Sequence, residues 1–300
     1  MSSGACAGLR CMGTLHSSDG TPIAYETAGD GPPVILVDGA LCYRASGPSA
    51  PLAALLAEHF TVFTYDRRGR GESGDTAPYA VGREVEDIAA LIDEAGGSAR
   101  VYGISSGAAL ALEAANRGLG IERLVVYEAP FIVDDSRAPL PADHLPQLTA
   151  LLAADRRGDA VRLFMRQVGV PGIVIALMRL MPAWPKLKAV AHTLPYDFAA
   201  LSGLQAGDPL PAGRWAGVTM PTLSVVGGKS PAWLHHGMRA LADVLPNAQL
   251  RVLEGQTHMV KAKVLAPLLI EFFGAGGSAS GDLVAAGAQD ASASLRRPRS

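Results

Sequence analysis

Cysteine is scarce in this sequence, with three residues in 300: Cys6, Cys11 and Cys42. There is no CxxC pair and no Cys/His cluster, which argues against a disulfide framework and against a structural zinc site. An excess of either charge is also missing. Lys and Arg number 26 against 28 Asp and Glu, for a formal net charge of -2. That balance argues against a nucleic-acid binder and against a polybasic membrane surface. Long apolar runs are absent too. The longest central stretch, residues 168–181, is interrupted by Gly169, Pro171, Gly172 and Arg179 and cannot span a bilayer. Residues 1–11 hold one arginine and no continuous apolar segment. They do not read as a secretory signal, so the expectation is a cytoplasmic protein. No phosphate loop, dinucleotide fingerprint or metal-ligand spacing occurs, and no cofactor or metal is expected.

What is present is enough to build a core. Hydrophobic residues make up 49% of the chain and charged residues 18%, and the length suits one α/β core carrying an insertion. Residues 14–27 read as a hairpin turning at Asp19-Gly20. A short, wholly apolar run follows at Val34-Ile35-Leu36-Val37, and further short runs, mostly apolar, at Val62-Phe63-Thr64-Tyr65, Arg100-Val101-Tyr102, Leu124-Val125-Val126-Tyr127, Leu223-Ser224-Val225-Val226 and Leu250-Arg251-Val252-Leu253. Runs of this kind suit strands buried on both faces of a parallel sheet. Helical patterns lie between them: 52–59, 85–92, 106–117 closed by Gly118, a helix capped by Ser230 with Pro231 at its first position, and 264–273. Regular alternation of strand and helix predicts a doubly wound, mostly parallel sheet. Between Pro130 and about Val218 the rhythm breaks, and helical stretches at 145–154, 159–168 and 173–181 replace strands. The expected organisation is a mobile leader (1–13), an α/β core (14–130 and 219–273), a helical cap (131–218) and a disordered tail (274–300).

One motif carries chemistry. Gly103-Ile104-Ser105-Ser106-Gly107 matches G-x-S-x-G, a weak signal alone but stronger where it follows a strand and opens a helix. A serine on that turn projects its hydroxyl above the sheet, and the helix N-terminus behind it favours developing negative charge. A serine hydroxyl needs a base to remove its proton. Of seven histidines, His258 is the one in a loop at a strand's carboxyl end. His59, His235 and His236 fall on helices, and His16, His144 and His192 lie on no edge facing the turn.

With these motifs in hand the chain resembles the α/β-hydrolase fold family over about residues 14–273. The run Tyr65-Asp66-Arg67-Arg68-Gly69-Arg70-Gly71-Glu72-Ser73 is similar to that family's D-x-R-G-x-G-x-S loop, and Gly255-Gln256-Thr257-His258 stands where the family places its histidine. The resemblance implies Ser105 as nucleophile, His258 as general base and a helical cap over the site. It also exposes two departures. Many members carry their acid after the strand that here ends Val225-Val226, but Gly227-Gly228-Lys229-Ser230 follows and holds no carboxylate. Glu128, after the preceding strand, is the expected third member, an arrangement similar to that of haloalkane dehalogenases. A local pairing of Glu128 with an arginine such as Arg123 stays open, as does Asp197 as the acid. The second departure is Asp38 in Asp38-Gly39-Ala40-Leu41, where members usually read His-Gly. The oxyanion donors are then expected to be the Ala40 and Ser106 N–H groups, with Asp38 pairing elsewhere, with Arg67 or Arg68.

Leu41, Phe131, Trp184, Trp233 and Met259 are the candidate substrate-binding residues. The expected reaction is cleavage of a small to medium apolar carboxylic ester through an acyl-enzyme. Thioesters, lactones or a C–C bond stay open, as do a non-hydrolytic lyase or perhydrolase-like enzyme and a catalytically silent binding protein. The expected partner is a small-molecule substrate, with neither nucleic acid nor membrane, and the sequence does not indicate an oligomeric state.

Overall fold

The computed structural model describes residues 10–275. Those residues form one eight-stranded sheet, built in chain order from β1 (Cys11–His16), β2 (Pro22–Ala28), β3 (Pro33–Val37), β4 (Thr61–Tyr65), β5 (Ala99–Ile104), β6 (Ile121–Tyr127), β7 (Thr222–Gly227) and β8 (Ala248–Leu253). The spatial order is β1-β2-β4-β3-β5-β6-β7-β8. The β1–β2 and β2–β4 pairs are antiparallel; the other five pairs are parallel. The predicted doubly wound sheet is what forms.

The apolar runs become central strands because both faces of the sheet are covered. Successive side chains on a strand point to opposite faces, and the two halves of each run go to different cores. Ile35, Val37, Val101, Leu124 and Val126 pack with helices α2 (Val81–Glu94), α3 (Ser106–Asn116) and α9 (Ala232–Val244). Val34, Leu36, Tyr102, Val125 and Tyr127 pack with α1 (Ser49–Leu56) and α10 (Ala262–Gly274). Helix α3 is alanine-rich and almost wholly buried, which lets it lie close on the sheet. It ends as expected, with Gly118 just beyond it at φ +75°.

Between β6 and β7 the chain inserts α4 (His144–Ala153), α5 (Arg157–Gln167), α6 (Gly172–Met178), α7 (Ala183–Ala189), a 3₁₀ turn (Ala191–Thr193) and α8 (Leu194–Ala200). This insert has its own core of Leu148, Val161, Ile175, Trp184, Leu194 and Phe198, and Leu41 from the loop after β3 joins it. Among the described residues no helix is long and apolar enough to cross a membrane.

Three details correct the sequence reading. The expected leader boundary at 13 is wrong in its last residues, because β1 already begins at Cys11; residues 1–9 and the tail from 276 lie outside the described residues. Helices α7 and α8 lie beyond the helical stretches expected at 145–154, 159–168 and 173–181, and each contains a proline, Pro185 or Pro195. Both prolines sit in the first turn, where the missing N–H has no partner to lose. Ser230 is not the cap of α9; Pro231 holds that position, and the Ser230 hydroxyl has other work.

The parallel register lines up the strand ends. Val37 lies opposite Gly103, Ile104 opposite Tyr127, Tyr127 opposite Val225 and Gly227 opposite Leu253. The loops bearing Asp38, Ser105, Glu128 and His258 therefore leave one edge of the sheet together, the carboxyl edge where open α/β sheets bind ligands.

Candidate active site

Ser105 sits between the last residue of β5 and the first of α3, with φ 58° and ψ -128°. A non-glycine residue in such a conformation carries about 1–3 kcal/mol of strain, so the surroundings must hold it. Its N–H donates to the Tyr127 carbonyl at 2.9 Å, and its own carbonyl accepts from Ala108 N–H at 3.0 Å. The two glycines of the motif are there because backbone passes within touching distance. A Cβ on Gly107 would meet the Val37 carbonyl oxygen at 2.3 Å, and one on Gly103 the Gly107 oxygen at 2.6 Å.

Glu128 leaves the end of β6, also at positive φ (46°), and is fully buried. One oxygen, Oε1, accepts from Gly227 N–H at 2.7 Å and from the Ser230 hydroxyl at 2.5 Å. The other, Oε2, lies 2.8 Å from Nδ1 of His258. The loop after β7, which holds no carboxylate of its own, thus supplies two donors to the acid on the neighbouring strand. Glu128 does not pair with Arg123, whose guanidinium lies over the Phe272 ring. His258 is half-exposed. Its loop is fixed from below, where the Tyr127 hydroxyl donates to the Thr257 carbonyl at 2.7 Å and Lys229 N–H to the Gln256 carbonyl at 2.8 Å.

Asp197, the alternative acid, is committed elsewhere. It accepts from Arg67 Nη1 at 2.7 Å, from Arg70 Nη2 at 2.9 and 2.8 Å, and from the Ser106 hydroxyl at 2.7 Å. Burial pushes its carboxyl up, but the Arg70 and Arg67 charges outweigh that and hold it below the usual range. Arg67 completes the cluster with a two-pronged pair to Glu84 at 2.6 and 2.8 Å.

Asp38 does not pair with Arg67 or Arg68 as expected. Arg68 goes to Asp87 and Asp19, and Arg67 reaches only the Asp38 backbone carbonyl, at 3.2 Å. The Asp38 carboxylate instead accepts from the Ser49 hydroxyl at 2.7 Å. Burial with so little compensation pushes it up to about 6. Gly39 lies against the nucleophile, since a Cβ there would meet Ser105 Cβ at 2.9 Å and Oγ at 3.4 Å. The loop of Ala40 and Leu41, source of one expected oxyanion donor, is therefore next to Ser105, and Ser106 opens α3 on the other side.

The profile described as the Alpha/beta hydrolase family matches residues 29–262. The chain belongs to the alpha/beta-hydrolase family. This alpha/beta hydrolase is similar to a solved alpha/beta hydrolase from Sphaerobacter thermophilus at 56% identity, over 87% of this chain and 100% of that one, with a TM-score of 0.81. It shares its fold with an enol-lactonase from Burkholderia xenovorans (21% identity, 87% and 100% covered, TM-score 0.63). A 2-hydroxy-6-oxo-6-phenylhexa-2,4-dienoate hydrolase from Rhodococcus is similar to the same degree (21%, 88% and 99%, TM-score 0.60).

Within this alpha/beta hydrolase the expected substrate-binding residues fall into different environments. Phe131 is fully buried and stacks on Trp215 at 5.6 Å, inside the main core. Trp184 and Leu41 belong to the core of the insert. Trp233 carries the Arg137 guanidinium 4.3 Å above its ring, and Met259 is 81% exposed beside His258 in the chain. The structure does not gather these five around one cavity: Phe131 packs in the interior because its aromatic partner and Gly237 close over it. Sequence reasoning missed Ser230, Arg67 and Arg70. The two arginines stand in the loop quoted for the family resemblance, but their partner lies about 130 residues away and no local pattern announces it.

Proposed function

We propose that this chain is a serine hydrolase that cleaves a small to medium, apolar carboxylic ester through an acyl-enzyme on Ser105. The observation that carries the reading is the 2.8 Å contact of His258 Nδ1 with the buried Glu128 carboxylate, at the sheet edge where Ser105 is held on its strained turn. A carboxylate only accepts, so this contact puts the ring proton on Nδ1 and leaves Nε2 as the base. His258 takes the Ser105 proton as the hydroxyl oxygen attacks the ester carbonyl. The tetrahedral intermediate collapses, His258 protonates the departing alkoxide, and the acyl group remains on Ser105. Water, deprotonated by the same imidazole, then releases the acid. Glu128 stabilises the imidazolium formed in both halves. The N–H groups of Ala40 and Ser106 hold the oxyanion, each worth about 3 kcal/mol in the transition state.

The test is a serine-directed fluorophosphonate followed by peptide mass spectrometry, run beside a panel of p-nitrophenyl esters of graded length with an enol-lactone added. The expected result is one equivalent of label on Ser105, and loss of label and ester turnover in Ser105→Ala. Label on another residue, or turnover surviving in Ser105→Ala, refutes the assignment.

A further inference from the structure

The cluster of Arg67, Arg70, Asp197 and Ser106 is buried and charged, adjoins the nucleophile, and has no part in the proton relay. Its most informative member is Arg70, which is 1% exposed. Nη1 donates to the Gly39 carbonyl at 2.7 Å and to the Cys42 carbonyl at 3.2 Å. Nε donates to the Thr193 hydroxyl at 3.0 Å, and Nη2 grips both oxygens of Asp197. Arg70 therefore ties the loop after β3 to two residues of the helical insert.

The Gly39 carbonyl and the Ala40 N–H belong to one peptide plane. In a trans peptide the C=O and N–H point in opposite directions, so fixing the carbonyl on Arg70 fixes where the N–H aims. A cationic donor on the carbonyl also polarises the peptide and strengthens its N–H as a donor. Glycine at 39 allows this plane a wide range of rotation, and besides Arg70 its carbonyl meets the Cys42 N–H at a longer 3.4 Å. The next residue, Leu41, is held at φ 61° with its side chain in the insert core, so both ends of the segment are anchored.

We propose that Arg70 is a positioning residue for the oxyanion hole: its guanidinium, anchored on Asp197 of the insert, clamps the Gly39 carbonyl and so directs the Ala40 N–H. The inference rests on the acyl-transfer reading above and deepens it, by making the insert part of what assembles the hole. Asp197 also takes the Ser106 hydroxyl, so one insert carboxylate reaches the residues behind both expected donors. The negative charge this brings near an oxyanion is offset by the two guanidiniums that share it.

The experiment uses Arg70→Lys in the full chain, which keeps the charge and loses the fork. Steady-state ester kinetics, affinity for an aryl trifluoromethyl ketone (whose serine adduct carries an oxyanion) and phosphonate labelling are measured together. The expected result is a fall in kcat of roughly ten- to a hundredfold with KM within about threefold. Ketone affinity should fall in parallel, and the acidic limb of the pH profile should stay in place because the His258–Glu128 pair is untouched. Should Arg70→Lys fail to fold, Asp197→Asn, which keeps the side-chain shape and removes the anchoring charge, is expected to move kcat and ketone affinity the same way. Folded variants that label on Ser105 and keep wild-type kcat and ketone affinity overturn the clamp and leave the Ser105 reading standing. A wild-type chain that neither labels on Ser105 nor binds the ketone overturns both.

Discussion

Glu128 and Asp197 are both buried carboxylates next to the Ser105 turn, yet their surroundings differ in kind. Glu128 meets two neutral donors and an imidazole, while Asp197 meets two guanidiniums and a hydroxyl. An acid whose partners are neutral can answer a charge that appears on the histidine during reaction. An acid already compensated by two permanent cations cannot, and its use is to hold geometry. The difference lies in the partner sets, since burial does not separate the two residues.

The comparison breaks most visibly by removing the charge that faces the imidazole. Glu128→Gln presents an amide where Nδ1 needs an acceptor, and kcat/KM for an ester is expected to fall by about a thousandfold or more, measured at matched secondary structure by circular dichroism. Asp197→Asn should cost far less, with the loss in kcat described for the Arg70 clamp. Equal losses would mean that the two acids are not doing different jobs.

A third acid sharpens the contrast. Asp38 has neither an imidazole nor a carboxylate-bound arginine, only the Ser49 hydroxyl, and burial raises it to about 6 from an ordinary 3.8. Between those values the folded chain keeps a proton that the unfolded chain has released, so this residue costs stability as pH rises through that window. Asp38→Asn removes the cost. Urea denaturation should show it more stable than wild type by up to about 3 kcal/mol at neutral pH, with the gap closing below about pH 4. A gap that widens at low pH would reverse the assignment.

The elbow provides the remaining effect, on stability. In Gly107→Ala the new methyl would press on the Val37 and Asp38 carbonyl oxygens at 2.3 and 2.6 Å, both backbone atoms of a central strand and its exit. A loss of about 1–3 kcal/mol is expected, measured by denaturant midpoint. A variant as stable as wild type would show that the helix can move off the sheet.

The parts of this architecture that were legible in the sequence are those with local causes. Strands β3 to β7 show as apolar runs because both of their faces are covered, and the elbow shows because its glycines and serine are adjacent. Edge strand β1 was cut short because its burial alternates along its length and Met12 is 78% exposed. The arginine cluster and the donors to Glu128 were hidden for another reason. Arg67 and Arg70 lie 130 and 127 residues from Asp197, and Ser230 lies 102 from Glu128. Such pairs exist only once the sheet edge has assembled, so no spacing rule finds them. The expectation that Asp38 pairs with Arg67 or Arg68 fails for the same reason, since Glu84 and Asp87 from α2 take those side chains.

The rate at which fluorophosphonate labels Ser105 at neutral pH, compared by intact mass among wild type, Glu128→Gln and Asp197→Asn, tests the division between the two acids most directly. Labelling about a thousandfold slower in Glu128→Gln, and no more than about a hundredfold slower in Asp197→Asn, is the expected result. A larger loss in Asp197→Asn than in Glu128→Gln would contradict it.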